Sequence, residues 1–143
     1  MKGKIILAKK KDASRILELL LSDKNLYASK EDKATPEDVK QYLEGKTHNV
    51  FLYKINKKIA GLIIVQFYKI SKFAYLNYIV VDSKYQRKGI AKILIKFLEK
   101  KAKKENYNLI ELMTRRDNAK MMKFMNKLNY LEGDNLRFYY KKL

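Results

Sequence analysis

Apolar residues recur along this chain at two spacings, and the places where one gives way to the other mark its elements. Lys4 to Ala8 is a short apolar run that predicts a strand. Asp12 then stands as an N-cap before a helix with Ile16, Leu17, Leu20 and Leu21 on one side. Residues 22–34 are polar and charged around a single aromatic, Tyr27, and predict a loop or a broken helix. Thr35-Pro36-Glu37-Asp38 opens a second helix, with a hydroxyl at the cap, proline at the first helical position and acids in the first turn. That helix carries Val39, Tyr42 and Leu43 and is expected to stop near Gly45.

Val50 to Ile55 and Ile59 to Phe67 follow as strands about a tight turn at Asn56-Lys57-Lys58, and Gly61 predicts close packing or a bulge. After a break at Ile70-Ser71-Lys72, Tyr75 to Val81 is the next strand. Helical spacing returns at Ile90, Ile93, Leu94, Phe97 and Leu98, opposite a face of Lys92, Lys96, Glu99, Lys100, Lys103 and Lys104. Asn108 to Met113 predicts a strand. Asp117 or Asn118 caps a helix with Met121, Phe124, Met125 and Leu128 on one face. Tyr130 to Glu132 and Leu136 to Lys142, about a turn at Gly133-Asp134-Asn135, predict a closing hairpin. The order β-α-α-β-β-β-α-β-α-β-β implies an α+β fold, with a mixed, mostly antiparallel sheet and helices on both faces. With no repeat and no low-complexity linker, residues 1–143 are expected to form a single domain.

The join between the Tyr75 strand and the helix after it carries the candidate chemistry. Its sequence is Val80-Val81-Asp82-Ser83-Lys84-Tyr85-Gln86-Arg87-Lys88-Gly89-Ile90-Ala91. A strand that turns directly into a helix leaves the first-turn amides unpaired and pointing outward, where the macrodipole favours an anion. Gly89 lets a phosphate approach the backbone without a Cβ in the way. Arg87 and Lys88 add full charges beside it.

Composition narrows the alternatives. Cysteine is absent and His48 is the sole histidine, which excludes thiolate and His-cluster metal sites and a cysteine nucleophile, and leaves no metal expected. His48 itself is expected to be solvated at the start of a strand. No apolar run is long enough to span a bilayer and no signal-peptide core follows Met1-Lys2-Gly3-Lys4, so a cytoplasmic location and no membrane partner are expected. The net charge of +18 comes from lysines spread over the polar faces of the elements. There is no basic tail or base-reading helix, so no specific nucleic-acid partner is expected.

Gln86-Arg87-Lys88-Gly89-Ile90-Ala91 resembles the (Gln/Arg)-x-x-Gly-x-(Gly/Ala) loop of the GNAT superfamily of N-acetyltransferases, and the element order is similar to that fold across essentially the whole chain. Asn118 to Tyr130 resembles the family's late helix, usually an Asn, a small residue, then Tyr-x-Lys-x-Gly-Phe. The resemblance implies an acetyl-CoA-dependent N-acyltransferase acting on a primary amine of a small molecule or peptide, as a monomer or homodimer. It implies that the loop amides, with Gln86, Arg87, Lys88, Gly89, Ile90, Ala91 and Lys92, hold the pyrophosphate of acetyl-CoA. Backbone groups of Ile79, Val80 and Val81 would meet the pantetheine arm and acetyl carbonyl, and Asn118 would cap its helix, contact the cofactor arm, or both.

The sequence departs from the family pattern twice. Met125 occupies the position of the frequent general-acid tyrosine, where a thioether cannot donate a proton, and Met125 reads as core packing. Ala74-Tyr75-Leu76-Asn77-Tyr78 lacks the carboxylate that often serves as base, leaving Asn77 or Tyr78 to hold a relaying water. Tyr139, Tyr140 and Glu111 are weaker candidates, and Tyr27, Phe67, Tyr68, Phe73 and Tyr75 are candidate lining for an acceptor pocket. These departures motivate a second reading, a CoA-binding module without turnover.

Overall fold

The computed structural model describes residues 2–143. One five-stranded sheet runs through it in sequence order: β1 (Lys4–Leu7), β2 (Asn49–Ile55), β3 (Lys58–Tyr68), β4 (Phe73–Val81) and β5 (Leu109–Glu111). The first four strands are antiparallel neighbours, and β5 joins β4 in parallel. The α+β reading with a mixed, mostly antiparallel sheet therefore describes the fold.

The helices divide between the two faces. α1 (Ala13–Ser22) and α2 (Pro36–Leu43) cover one, with Ile16, Leu19, Leu20 and Val39 packed on Leu52, Leu62 and Ile64. α3 (Ile90–Lys104) and α4 (Ala119–Lys127) cover the other, with Ile90, Leu94, Ile95, Leu98 and Met125 packed on Phe51, Tyr53, Ile63 and Val65. Successive strand residues point to opposite faces, so β2 and β3 must be apolar almost without interruption to feed both cores. The fully buried Leu62 illustrates the energetics: truncation to Ala at such a site costs about 2–5 kcal/mol.

Several local expectations change. Asp12 does not cap α1 through its side chain. Its carboxylate accepts from the Lys9 amide at 2.9 Å and the Lys54 ammonium at 2.8 Å, tying the start of α1 to β2. On α1 Leu19 is buried with Ile16 and Leu20, while Leu21 is exposed; on α3 Ile95 is buried and Ile93 exposed. Both shifts follow from helices that present a slightly rotated stripe to a twisted sheet. Residues 22–34 form two short 3-10 turns, and Tyr27 is buried, its hydroxyl donating to the Leu20 carbonyl. Thr35 caps α2 reciprocally with Asp38, as the Thr-Pro-Glu-Asp run predicts.

The closing hairpin does not form among the described residues: no strand follows α4. The Tyr130 amide is taken by the Met125 carbonyl at the end of α4, which shortens an arm of three residues to two. An arm of that length cannot nucleate a ladder. The segment after it is exposed and tied by an Arg116–Asn135 hydrogen bond of 2.9 Å and a Lys142–Glu31 ion pair of 2.7 Å. Tyr139 and Tyr140 lie exposed on it.

Candidate active site

The β4–α3 loop is placed by close packing beneath it. A Cβ on Gly61 would meet the Val80 carbonyl at 3.0 Å and the Ile90 side chain at 3.1 Å, so only glycine lets α3 start this near the sheet. The β2–β3 register shifts beside it, between Tyr53 and Lys54, so both readings of Gly61 describe the same place. Asp82 caps a short turn at Ser83–Tyr85 by accepting from the Lys84 amide, and its other oxygen is paired with Arg15 of α1. Gln86 reaches back, its Nε2 donating to the Val81 carbonyl at 3.1 Å.

Beyond Gln86 the backbone turns outward. Arg87 (φ 61°) and Gly89 (φ 76°) both sit in the left-handed region, and nothing lies within 4 Å of where a Gly89 Cβ would be. Ile93 is the first amide to bond back, to the Gly89 carbonyl at 3.0 Å. Among the described residues no acceptor meets the amides of Arg87 to Lys92. Arg87, Lys88, Gly89 and Lys92 are exposed, Ala91 is half-buried, and the Ile90 side chain is buried, leaving only its amide available. The Lys88 ammonium does not point away from the loop; it lies 5.5 Å from the centre of the Tyr85 ring and 3.5 Å from the Lys84 carbonyl. A row of unpaired N–H groups at a helix N-terminus, flanked by Arg87, has the chemistry to accept a phosphate. The chain's residues fit the pyrophosphate of CoA at this loop.

The strand feeding the loop is irregular where the chemistry is expected. Ile64 pairs with Tyr78 but Val65 pairs with Leu76, so Asn77 is an extra residue, a β-bulge. Its Nδ2 donates to Gln66 Oε1 at 2.8 Å, while its Oδ1 is buried without a partner among the described residues. β5 accompanies β4 only from Phe73 to Tyr75. From Leu76 to Val81, the groups of β4 that do not face β3 therefore have no strand partner among the described residues. Ile79 and Val81 pack toward α3 and Val80 packs toward α1, so what these three offer a ligand is backbone.

Across the bulge, on the α1–α2 side, Tyr78 lies 6.3 Å from Tyr42, ring centre to ring centre, and Tyr42 lies 4.6 Å from His48. Burial and the neighbouring Tyr78 phenol push the Tyr42 hydroxyl well above its usual range, so it stays protonated at neutral pH and serves only as a donor or acceptor. Burial likewise raises Tyr27 and Tyr75 and lowers His48. Partly buried against Tyr42, His48 is not the solvated residue expected. Phe73 stacks on Tyr68 at 4.5 Å and Phe67 tilts on Tyr107 at 5.1 Å, so these aromatics brace the β3–β4 hairpin. Glu111 is exposed at the end of β5. Asn118 caps α4, its side chain accepting from the Met121 amide at 3.1 Å. Met125 is buried in the core, and Asn129, at φ 62°, holds the left-handed position the late-helix motif gives to glycine.

The family resemblance implies a bulge in this strand, and sequence reasoning missed its position at Asn77, the Gln66 partner and the Tyr42–Tyr78 pairing. All three are set by long-range register, and no local pattern marks them.

Residues 13–130 match the acetyltransferase (GNAT) family. The chain belongs to that family. Among curated proteins none matches it by sequence. Its fold is similar to that of AAC(6')-Iy in complex with a CoA-containing bisubstrate analogue, with TM-score 0.80, 18% identity and full coverage of both chains. It is also similar to an aminoglycoside acetyltransferase from an uncultured soil metagenomic sample in complex with sisomicin, with TM-score 0.76, 20% identity and coverage of 99% and 97%. A third similar structure is a ribosomal-protein-alanine N-acetyltransferase from Brucella melitensis, with TM-score 0.76, 19% identity and full coverage of both. Family membership implies acyl transfer, and at these identities the solved structures speak for the GNAT fold. No helix among the described residues is long and apolar enough to cross a membrane.

Proposed function

We propose that this GNAT protein transfers an acetyl group from acetyl-CoA to a primary amine of a small molecule or peptide. The observation that carries the reading is the row of unpaired amides from Arg87 to Lys92, opening beside a strand that is bulged at Asn77 and unpaired beyond Tyr75. The amine-bearing ligands named for the similar AAC(6')-Iy and soil-sample structures support an amine acceptor.

Bound acetyl-CoA supplies an activated carbonyl on a thiol of pKa about 8.5, a fair leaving group at neutral pH. The chain's residues supply position and charge. Amides 87–92 and the Arg87 guanidinium hold the pyrophosphate, while the free edge groups of Ile79, Val80 and Val81 align the arm and donate to the carbonyl oxygen. The acceptor enters from the α1–α2 side past Tyr42 and Tyr78. An ammonium has no lone pair, so a proton must leave before attack. A water held at Asn77 or Tyr78 takes that proton and passes it to solvent, which frees the lone pair for attack. Met125, being apolar and buried, takes no part.

Calorimetric titration with acetyl-CoA tests the cofactor half. Micromolar binding that Gly89→Val weakens by about tenfold or more is expected, and no micromolar binding by the unmodified protein would overturn it. A free-thiol release assay over an amine panel tests turnover. Asn77→Ala is expected to lower kcat by about tenfold while acetyl-CoA affinity holds, within the range of general acid–base effects. The buried Met125 and the bulge without a carboxylate favour a second reading, a CoA-binding module without turnover. Release of thiol with any amine removes it.

A further inference from the structure

Between the start of the chain and the β4–α3 loop, two clefts of about 410 and 660 Å³ meet along Lys54 and Lys57, which line both, and the smaller one ends against Asp82, Lys84 and Tyr85 of that loop. Their walls are basic. The only carboxylates in them, Asp12 and Asp82, are already paired with Lys54 and Arg15. Six further ammonium groups, on Lys2, Lys4, Lys11, Lys57, Lys58 and Lys84, have no carboxylate partner among the described residues. All six residues are exposed. Elsewhere most lysines are unpaired as well, with Lys96–Glu99, Lys101–Glu105 and Lys142–Glu31 the exceptions among the described residues. What sets these six apart is that they line two adjoining concave surfaces.

We infer that these joined clefts bind the phosphodiester backbone of a nucleic acid without regard to sequence. Flexible ammonium groups spread over two adjoining clefts suit a string of phosphates, each neutralised with release of its counterion. A single phosphate would need two or three cations converging on one point. An acidic peptide would need exposed apolar anchors, and the one aromatic ring in the clefts, Tyr85, already lies under Lys88. Base reading needs bidentate side chains; the Arg15 guanidinium is already committed to Glu18 and Asp82, and Asn56 is the only side-chain amide in the lining. The clefts therefore grip backbone and leave the bases alone.

The test is fluorescence anisotropy of a labelled single-stranded oligonucleotide of mixed sequence, titrated with the full chain over a range of salt. Two variants of equal charge change are compared: Lys57→Glu with Lys58→Glu in the clefts, and Lys100→Glu with Lys103→Glu on the exposed face of α3. The cleft variant is expected to bind at least about tenfold more weakly, and its slope of log affinity against log salt should be shallower by about 1.4, the value for two lost phosphate contacts on a single strand. Equal losses in the two variants would overturn the inference, because they would make the binding a property of net charge. Displacement by saturating acetyl-CoA would overturn it by moving the binding to the amide row, and equal competition by polyglutamate would overturn it in favour of acidic protein. Unchanged thermal unfolding and acetyl-CoA titration of the cleft variant verify that it is folded.

Discussion

Two connections in this molecule look alike in sequence and do different work. Asn56-Lys57 joins β2 to β3, and Gln86-Arg87-Lys88-Gly89 joins β4 to α3. Both are basic, both are exposed, and each holds a basic residue in the left-handed region, Lys57 at φ 65° and Arg87 at φ 61°. The first hands the chain back to a strand, with Ile55 facing Lys58 across a two-residue turn. The second hands it to a helix, whose first amides meet no acceptor among the described residues. Positive charge is therefore common to the two, and directed N–H groups belong to one. An anion at the β2–β3 turn would meet screened, mobile charges; one at the β4–α3 loop would meet fixed dipoles as well.

The largest way to disturb that contrast lies under the β2–β3 turn. Lys54→Ala leaves the Asp12 carboxylate buried and unpaired, which should cost about 3–5 kcal/mol of stability by urea unfolding. The same pair has a pH signature. Burial opposes ionisation of Asp12, but the Lys54 ammonium and the Lys9 amide outweigh it and hold the carboxyl below its usual range. The unfolded chain thus binds this proton first on acidification. The stability from Asp12 is full above pH ~4, falls as pH drops toward the lowered value, and is absent in Lys54→Ala.

Next in size is Gly61→Val, which forces atoms against the Val80 carbonyl and Ile90. It should cost about 1–3 kcal/mol and weaken acetyl-CoA binding, because the start of α3 must move. A valine in the β2–β3 turn should leave that binding unchanged. The smallest effect sharpens the contrast most. Lys57→Gly and Arg87→Gly each relieve a left-handed side-chain residue worth about 1 kcal/mol, so both should be neutral to slightly stabilising. Only Arg87→Gly should lower acetyl-CoA affinity, and an equal loss in Lys57→Gly by calorimetry would erase the distinction.

Elements whose evidence is local were legible in the sequence. The Thr35-Pro36 start of α2, the Asn56-Lys57 turn and the open Gly89 all announce themselves through residues next to one another. The polarity of the β4–α3 loop was legible for the same reason. What escaped depends on partners far along the chain. Asp12 sits where a helix cap belongs, yet its carboxylate answers to a lysine on another strand. Leu21 and Ile93 satisfy the helical spacing, but the twist of the sheet chose Leu19 and Ile95. The closing hairpin had a good turn sequence, but the leading amide of its first arm bonds a carbonyl at the end of α4.

The extra residue at position 77 carries an obligation beyond any part it plays at an amine. Ala74 and Leu76 face the α3–α4 core, and two steps on Tyr78 would do the same; instead it faces α1 and α2, with Val80, while Ile79 and Val81 take over the first core. The strand changes hands at Asn77. Deleting that single residue would turn the last four positions of the strand inside out, and the deletion would be lethal to folding before any question of catalysis arose.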